Sequence, residues 1–139
     1  MIEFHFKSEF VIQNKSDYVD WINRVIVSEG FSAGQIDYVF CSDDYLLELN
    51  KEYLNHDTFT DIITFDYRDG NTISGDIFIS TDRVEENAKK YDVAFSNELR
   101  RVMSHGVLHL AGFGDKSNEE KRIMREKEEE KIKMFHVEP

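Results

Sequence analysis

Apolar and polar residues alternate from Ile2 to Phe6, the period of a half-buried strand. The period then changes. From Ser16 to Ser28 the apolar residues Tyr18, Trp21, Ile22, Val25 and Ile26 recur at three and four, which predicts a helix with one apolar stripe. Gly30 ends that helix, and Gly34 is expected to open the next turn. Ile36 to Cys41 is rich in β-formers and predicts a second strand. Ser42 or Asp43 can cap a helix through Tyr53 that carries Leu46, Leu47 and Leu49. NHDTFT predicts a loop. IITFDY and ISGDIFIS predict a third and a fourth strand, and the Asp69-Gly70 turn between them predicts an antiparallel hairpin. Ser80 or Thr81 opens a helix to Tyr91, and Ser96 opens another to Ala111, where Gly112 and Gly114 stop it. Ser117 followed three residues later by Glu120 is a capping-box pattern and opens a last helix.

These elements predict one α/β domain of the α+β type over residues 1–139, a small mixed sheet of about four strands with about five helices packed on it. Composition agrees: 40% hydrophobic and 13% aromatic residues are enough for a packed interior. The one cysteine, Cys41, allows no internal disulfide and sits in an apolar run, as a small buried hydrophobe does.

Charge changes the picture more. There are 17 basic and 28 acidic residues, a net charge of −11, which opposes nonspecific adhesion to nucleic acid without excluding an enzyme that acts on it. The tail run KSNEEKRIMREKEEEKIK reads as a solvated helix face rather than a binding surface. MIEFHFKSEF lacks a basic start and a long apolar run, and no stretch nears the roughly 20 apolar residues of a membrane span, so a cytoplasmic protein with no membrane partner is expected. Asn14-Lys15-Ser16, a glycosylation acceptor in form, is therefore incidental.

The candidate chemistry lies in SHGVLHLAGFGDK. His105 and His109 are four apart on the predicted helix and project from one face, close enough to hold one ion. Gly112 and Gly114 let the chain double back, so that Asp115 can close on the same ion. Two histidines and a carboxylate are an established catalytic zinc set with one position open for water or substrate. One Zn2+ is the expected cofactor, and another divalent transition metal satisfies the same donors. Many metalloproteases carry a glutamate base directly after the first histidine. Here that position is Gly106.

His105-Gly-Val-Leu-His109-Leu-Ala-Gly-Phe resembles the signature HGxLHLxGYDH of the YbeY family of bacterial metal-dependent endoribonucleases. Leu49-Asn50 with Thr60-Asp61-Ile62-Ile63-Thr64-Phe65 resembles that family's LN…TDVLSF segment, and Gly75-Asp76-Ile77-Phe78-Ile79-Ser80 resembles its GDIxIS strand. The resemblance implies a single α/β domain with one zinc-like ion that hydrolyses single-stranded RNA. It further implies roles in maturing the 3′ end of small-subunit ribosomal RNA and in ribosome quality control, with the small subunit or its proteins as partners.

The sequence departs from the pattern twice. The family's third ligand is usually histidine. Without a gap Asp115 falls on that position; with one inserted residue Lys116 would, and a protonated lysine is a poor ligand. Leu54 stands where family members commonly carry an arginine thought to face RNA, and Arg68, Arg83, Arg100 and Arg101 are the available substitutes. Asp61 and Asp76 are candidate catalytic carboxylates; the structural alternative is that Asp61 caps a turn and Asp76 fixes a strand end. His56, in the loop, has the character of a solvated surface histidine. Two other functions fit parts of the pattern. A metal-dependent peptidase or amidase fits the histidine pair but lacks a base at Gly106. A ribosome-associated factor with a structural metal and negligible cleavage fits Leu54 and the acidic charge.

Overall fold

The computed structural model describes residues 1–54 and 60–135. Four strands, β1 (Ile2–Phe6), β2 (Ser32–Cys41), β3 (Ile62–Asp66) and β4 (Thr72–Ser80), form one sheet in the order β1-β2-β4-β3. β1 with β2 and β2 with β4 are parallel, and β3 with β4 is the antiparallel hairpin. Parallel neighbours need a crossover. α1 (Lys15–Ser28) supplies it between β1 and β2, and α2 (Asp43–Leu54) follows β2. α3 (Thr81–Lys90), α4 (Phe95–Leu110) and α5 (Asn118–Lys133) complete the α+β domain.

The two sheet faces are covered differently. Along β4, Ile73, Gly75, Ile77 and Ile79 point to one face and are buried. There they join Trp21, Ile22 and Val25 of α1, Tyr38 and Phe40 of β2, and Leu99, Met103 and Val107 of α4 in the main core. The Tyr38 hydroxyl donates to the Met103 carbonyl at 2.8 Å, which satisfies the one polar atom it brings inside. On the other face, among the described residues, α2 covers one end, where Leu46 packs with Cys41 and Ile63. Burial raises the Cys41 thiol to about 12, so it is an inert core group.

Several expectations needed correction. β2 begins at Ser32, and Gly34 lies inside it at a register irregularity between Ala33 and Ile36 rather than at a turn; a glycine within a strand commonly marks such a bulge. α4 starts at Phe95, with Ala94 as its cap, because the Ala94 carbonyl takes the first amides, those of Asn97 and Glu98. Ser80 and Ser117 do cap their helices, and the Ser117–Glu120 capping box is complete. The charged tail helix is not solvated all round. Met124, Glu128 and Lys131, spaced four and three apart, form a buried stripe. The Trp21 indole donates to the Lys131 carbonyl at 2.8 Å, and Lys131 Nζ reaches Glu29 at 2.6 Å and Ser28 Oγ at 2.9 Å.

Candidate metal centre and its cleft

α4 brings His105 and His109 to its last two turns. Its end is a Schellman closure: Gly112 has φ +106°, its N–H donates to His109 O at 3.0 Å, and Phe113 N–H donates to Leu108 O at 3.1 Å. That reversal carries the chain back along the helix. The Asp115 carboxylate ends 3.2 Å from His105 Nε2. The turn also holds the second histidine, for His109 Nδ1 donates to the Phe113 carbonyl at 3.3 Å.

His105 is gripped from the other side as well. Its Nδ1 lies 2.7 Å from Oε2 of Glu128, a buried residue of α5. Burial works against the imidazolium, but Glu128, Asp115 and Asp61 outweigh it and raise the His105 pKa above its ordinary value. Both imidazoles therefore have Nδ1 held by an oxygen acceptor, and Nε2 of His105 faces the Asp115 carboxylate. That is how protein-bound metal centres orient their histidines.

His105, His109 and Asp115 line one open cleft of about 540 Å³ with Asn50, Leu54, Thr64 and Lys116. His105 and Asp115 also line an adjoining cavity of about 330 Å³, with Asp61, Glu98, Arg101, Arg125 and Glu128 among its walls. Burial raises the Asp61 carboxyl pKa, partly offset by His105. Asp76 lines neither space. It projects to the opposite sheet face, where it accepts from the Tyr67 hydroxyl at 3.2 Å. His56 lies outside the described residues.

The arginines named as substitutes for Leu54 have separate placements. Arg83 pairs with Asp43 at 2.7 Å, Arg100 stacks 3.7 Å over the Phe135 ring, and Arg68 lies 5.3 Å over Phe31. Arg101 lines the adjoining cavity, pairing with Glu98, Glu128 and Glu129. Among the described residues, the cation lining the cleft itself is Lys116.

Among the described residues, the group of three whose donor atoms all lie within 4.8 Å of one another is Glu3, His5 and Asp37, on the open sheet face. It is a possible Glu/His/Asp metal site by spacing. Its atoms already engage each other and Gln35: His5 Nε2 lies 2.7 Å from Asp37, and Gln35 donates to both Glu3 and Asp37. The His105–Asp115 pair is close, but the donor atoms of His105, His109 and Asp115 do not all fall within that limit.

A protein-family model described as Endoribonuclease YbeY matches residues 3–136. This chain belongs to the YbeY endoribonuclease family. A protein named Endoribonuclease YbeY from Flavobacterium johnsoniae is 56% identical over 138 residues, 99% of each chain. YbeY relatives of the same name from Flavobacterium psychrophilum and Christiangramia forsetii are 53% and 52% identical over 137 residues, covering 99% of this chain and 98% and 96% of theirs. The solution structure of TM1509 from Thermotoga maritima superposes with a TM-score of 0.72 at 25% identity, covering 97% of this chain and 89% of that one. Among the described residues, this YbeY chain is one four-stranded mixed sheet with five helices. No helix among the described residues is long and apolar enough to cross a membrane.

Glu128 is the site residue that sequence reasoning missed. It lies 23 positions after His105, inside a run of charges. Its signal was the spacing of Met124, Glu128 and Lys131, which the surrounding charges hide.

Proposed function

We propose that this chain is a metal-dependent endoribonuclease that hydrolyses single-stranded RNA, with His105, His109 and Asp115 holding one divalent transition-metal ion, zinc before others. The observation that carries it is the pair of imidazoles on one cleft, each with Nδ1 held by oxygen, and the Asp115 carboxylate 3.2 Å from Nε2 of His105. The relatives, named Endoribonuclease YbeY, supply the reaction class.

When bound, the ion supplies Lewis-acid polarisation of a phosphoryl oxygen and a lowered pKa for water. The protein's own groups do the rest. Lys116 offers a positive charge to a phosphate at the cleft rim. Asn50 and Thr64 offer polar atoms along the wall. Asp61 shares the adjoining cavity with His105, and burial favours its protonated form, so it is the carboxyl assigned to proton transfer at the leaving oxygen. Asp76 has no part in this assignment.

The substrate belongs with the ribosome in this proposal: the 3′ end of small-subunit ribosomal RNA, cut in the cytoplasm during maturation and quality control. The family resemblance supports it. A peptidase reading loses its base, because Gly106 is buried against Ile77 and Ile62.

The test is metal content by mass spectrometry on protein without a histidine tag, with cleavage of single-stranded RNA followed as metal is removed and restored. The wild type should carry about one ion, Asp115→Ala and His105→Ala little, and cleavage should track occupancy. Equal occupancy in Asp115→Ala removes Asp115 from the ligand set. Metal-loaded protein that binds ribosomal particles but never cuts RNA is a structural factor, and the enzyme proposal fails.

A further inference from the structure

Glu128 is 6% exposed, on a helix whose other glutamates face solvent. A buried carboxylate is costly unless its oxygens find partners. Oε1 takes Arg101 Nη1 at 3.3 Å. Arg101 has two further acids, Glu98 at 3.6 Å and Glu129, so its charge is balanced without Glu128. What Glu128 alone provides is Oε2, 2.7 Å from His105 Nδ1.

A carboxylate only accepts, so that contact places the ring hydrogen on Nδ1. Nε2 faces a second acceptor, Asp115, at the longer distance of 3.2 Å, so Nδ1 is the nitrogen more closely held. His109 is oriented in the same sense by a main-chain acceptor, the Phe113 carbonyl. The two rings are thus set by different means: His109 by its own helix end, His105 by a side chain from α5.

We propose that Glu128 is a positioning residue for the metal centre: it holds His105 as the Nδ1–H tautomer, with Nε2 turned toward Asp115 and an incoming divalent cation. This rests on the metal centre proposed above, so the test separates the two. Imidazole nitrogen NMR is read on the metal-free full chain at mildly alkaline pH, where the ring is neutral. Zinc affinity is read by competition with a chromophoric chelator.

The wild type should show His105 protonated at Nδ1. Glu128→Leu should mix the tautomers and weaken zinc binding by about 10–100-fold. Glu128→Gln keeps a carbonyl oxygen at the same reach and should recover most of that loss. Should Glu128→Leu not fold, Glu128→Asp carries the test: it retains a charge for Arg101 but withdraws the oxygen from Nδ1 by one methylene, and zinc should bind more weakly. An unchanged tautomer in the variant that folds, or wild-type zinc affinity in it, overturns the role of Glu128. A wild type that takes up no zinc overturns the centre itself, and the metal-free ring measurement tells that failure apart from the first.

Discussion

At the scale of single residues, Gly106 decides how closely α4 lies on the sheet. A methyl group there would stand 2.9 Å from Ile77 Cγ2 and 3.1 Å from Ile62 Cδ1, tighter than ordinary contact. The branched Cγ2 of Ile77 is held by a strand and yields little. Gly106→Ala should cost about 1–3 kcal/mol in denaturant unfolding, the usual effect of overpacking. A wild-type midpoint would mean that α4 can lift without penalty. The same residue separates this site from the metalloprotease helix, since the place of the base is taken by packing. That no glutamate follows His105 is plain in the sequence; that no side chain fits there is seen only against Ile77.

Among elements, α5 is the piece whose character changed most between sequence and structure. Its charges read as solvated, yet Lys127, Glu128, Glu129 and Lys131 tie the helix down. Lys131 is 2% exposed at its side chain and meets Glu29, itself 12% exposed, at the end of α1. Burial works to raise the Glu29 carboxyl, but Lys131 and Lys127 outweigh it and hold the pKa below the ordinary 4.5. A depressed folded value means that the stabilisation is complete above 4.5 and is lost as pH falls through the folded value. Glu29→Gln should cost about 2 kcal/mol near neutral pH, because it leaves a buried ammonium short of a charge partner. Thermal melts of the variant and wild type should converge in acid. A gap that persists below the carboxylate range would show that the loss is packing rather than charge. Because α5 also delivers Glu128, what seats this helix also seats His105.

For the whole molecule, the net charge of −11 sets the field that an RNA strand meets. Long-range attraction is absent, so binding in the proposed function depends on local contacts in the cleft. Leu54, 43% exposed on the cleft wall, makes no contribution to a phosphate. Leu54→Arg should tighten binding of single-stranded RNA to metal-free protein. It should also steepen the dependence of log affinity on log salt by about 0.7, the increment for one phosphate contact on a single strand. Fluorescence anisotropy across a salt series measures both. If neither changes, RNA takes another path over the surface.

The sequence by itself determined the elements and put His105, His109 and Asp115 forward as a ligand set. Strand and helix periods, the Asp69-Gly70 turn and the Ser80 and Ser117 caps act over a few neighbouring residues, so they were legible before any fold. His105, His109 and Asp115 were legible for the same reason: one helix turn and one glycine reversal set their spacing. Only the tertiary structure decided the strand order, with β4 between β2 and β3, since pairing between distant strands depends on which faces can be buried together. It also decided that Asp61 shares a cavity with His105 while Asp76 faces the opposite side of the sheet, and that Glu128 reaches His105 across 23 positions. A buried charge is marked by its partners rather than by its neighbours in sequence, and those partners are brought together by packing alone.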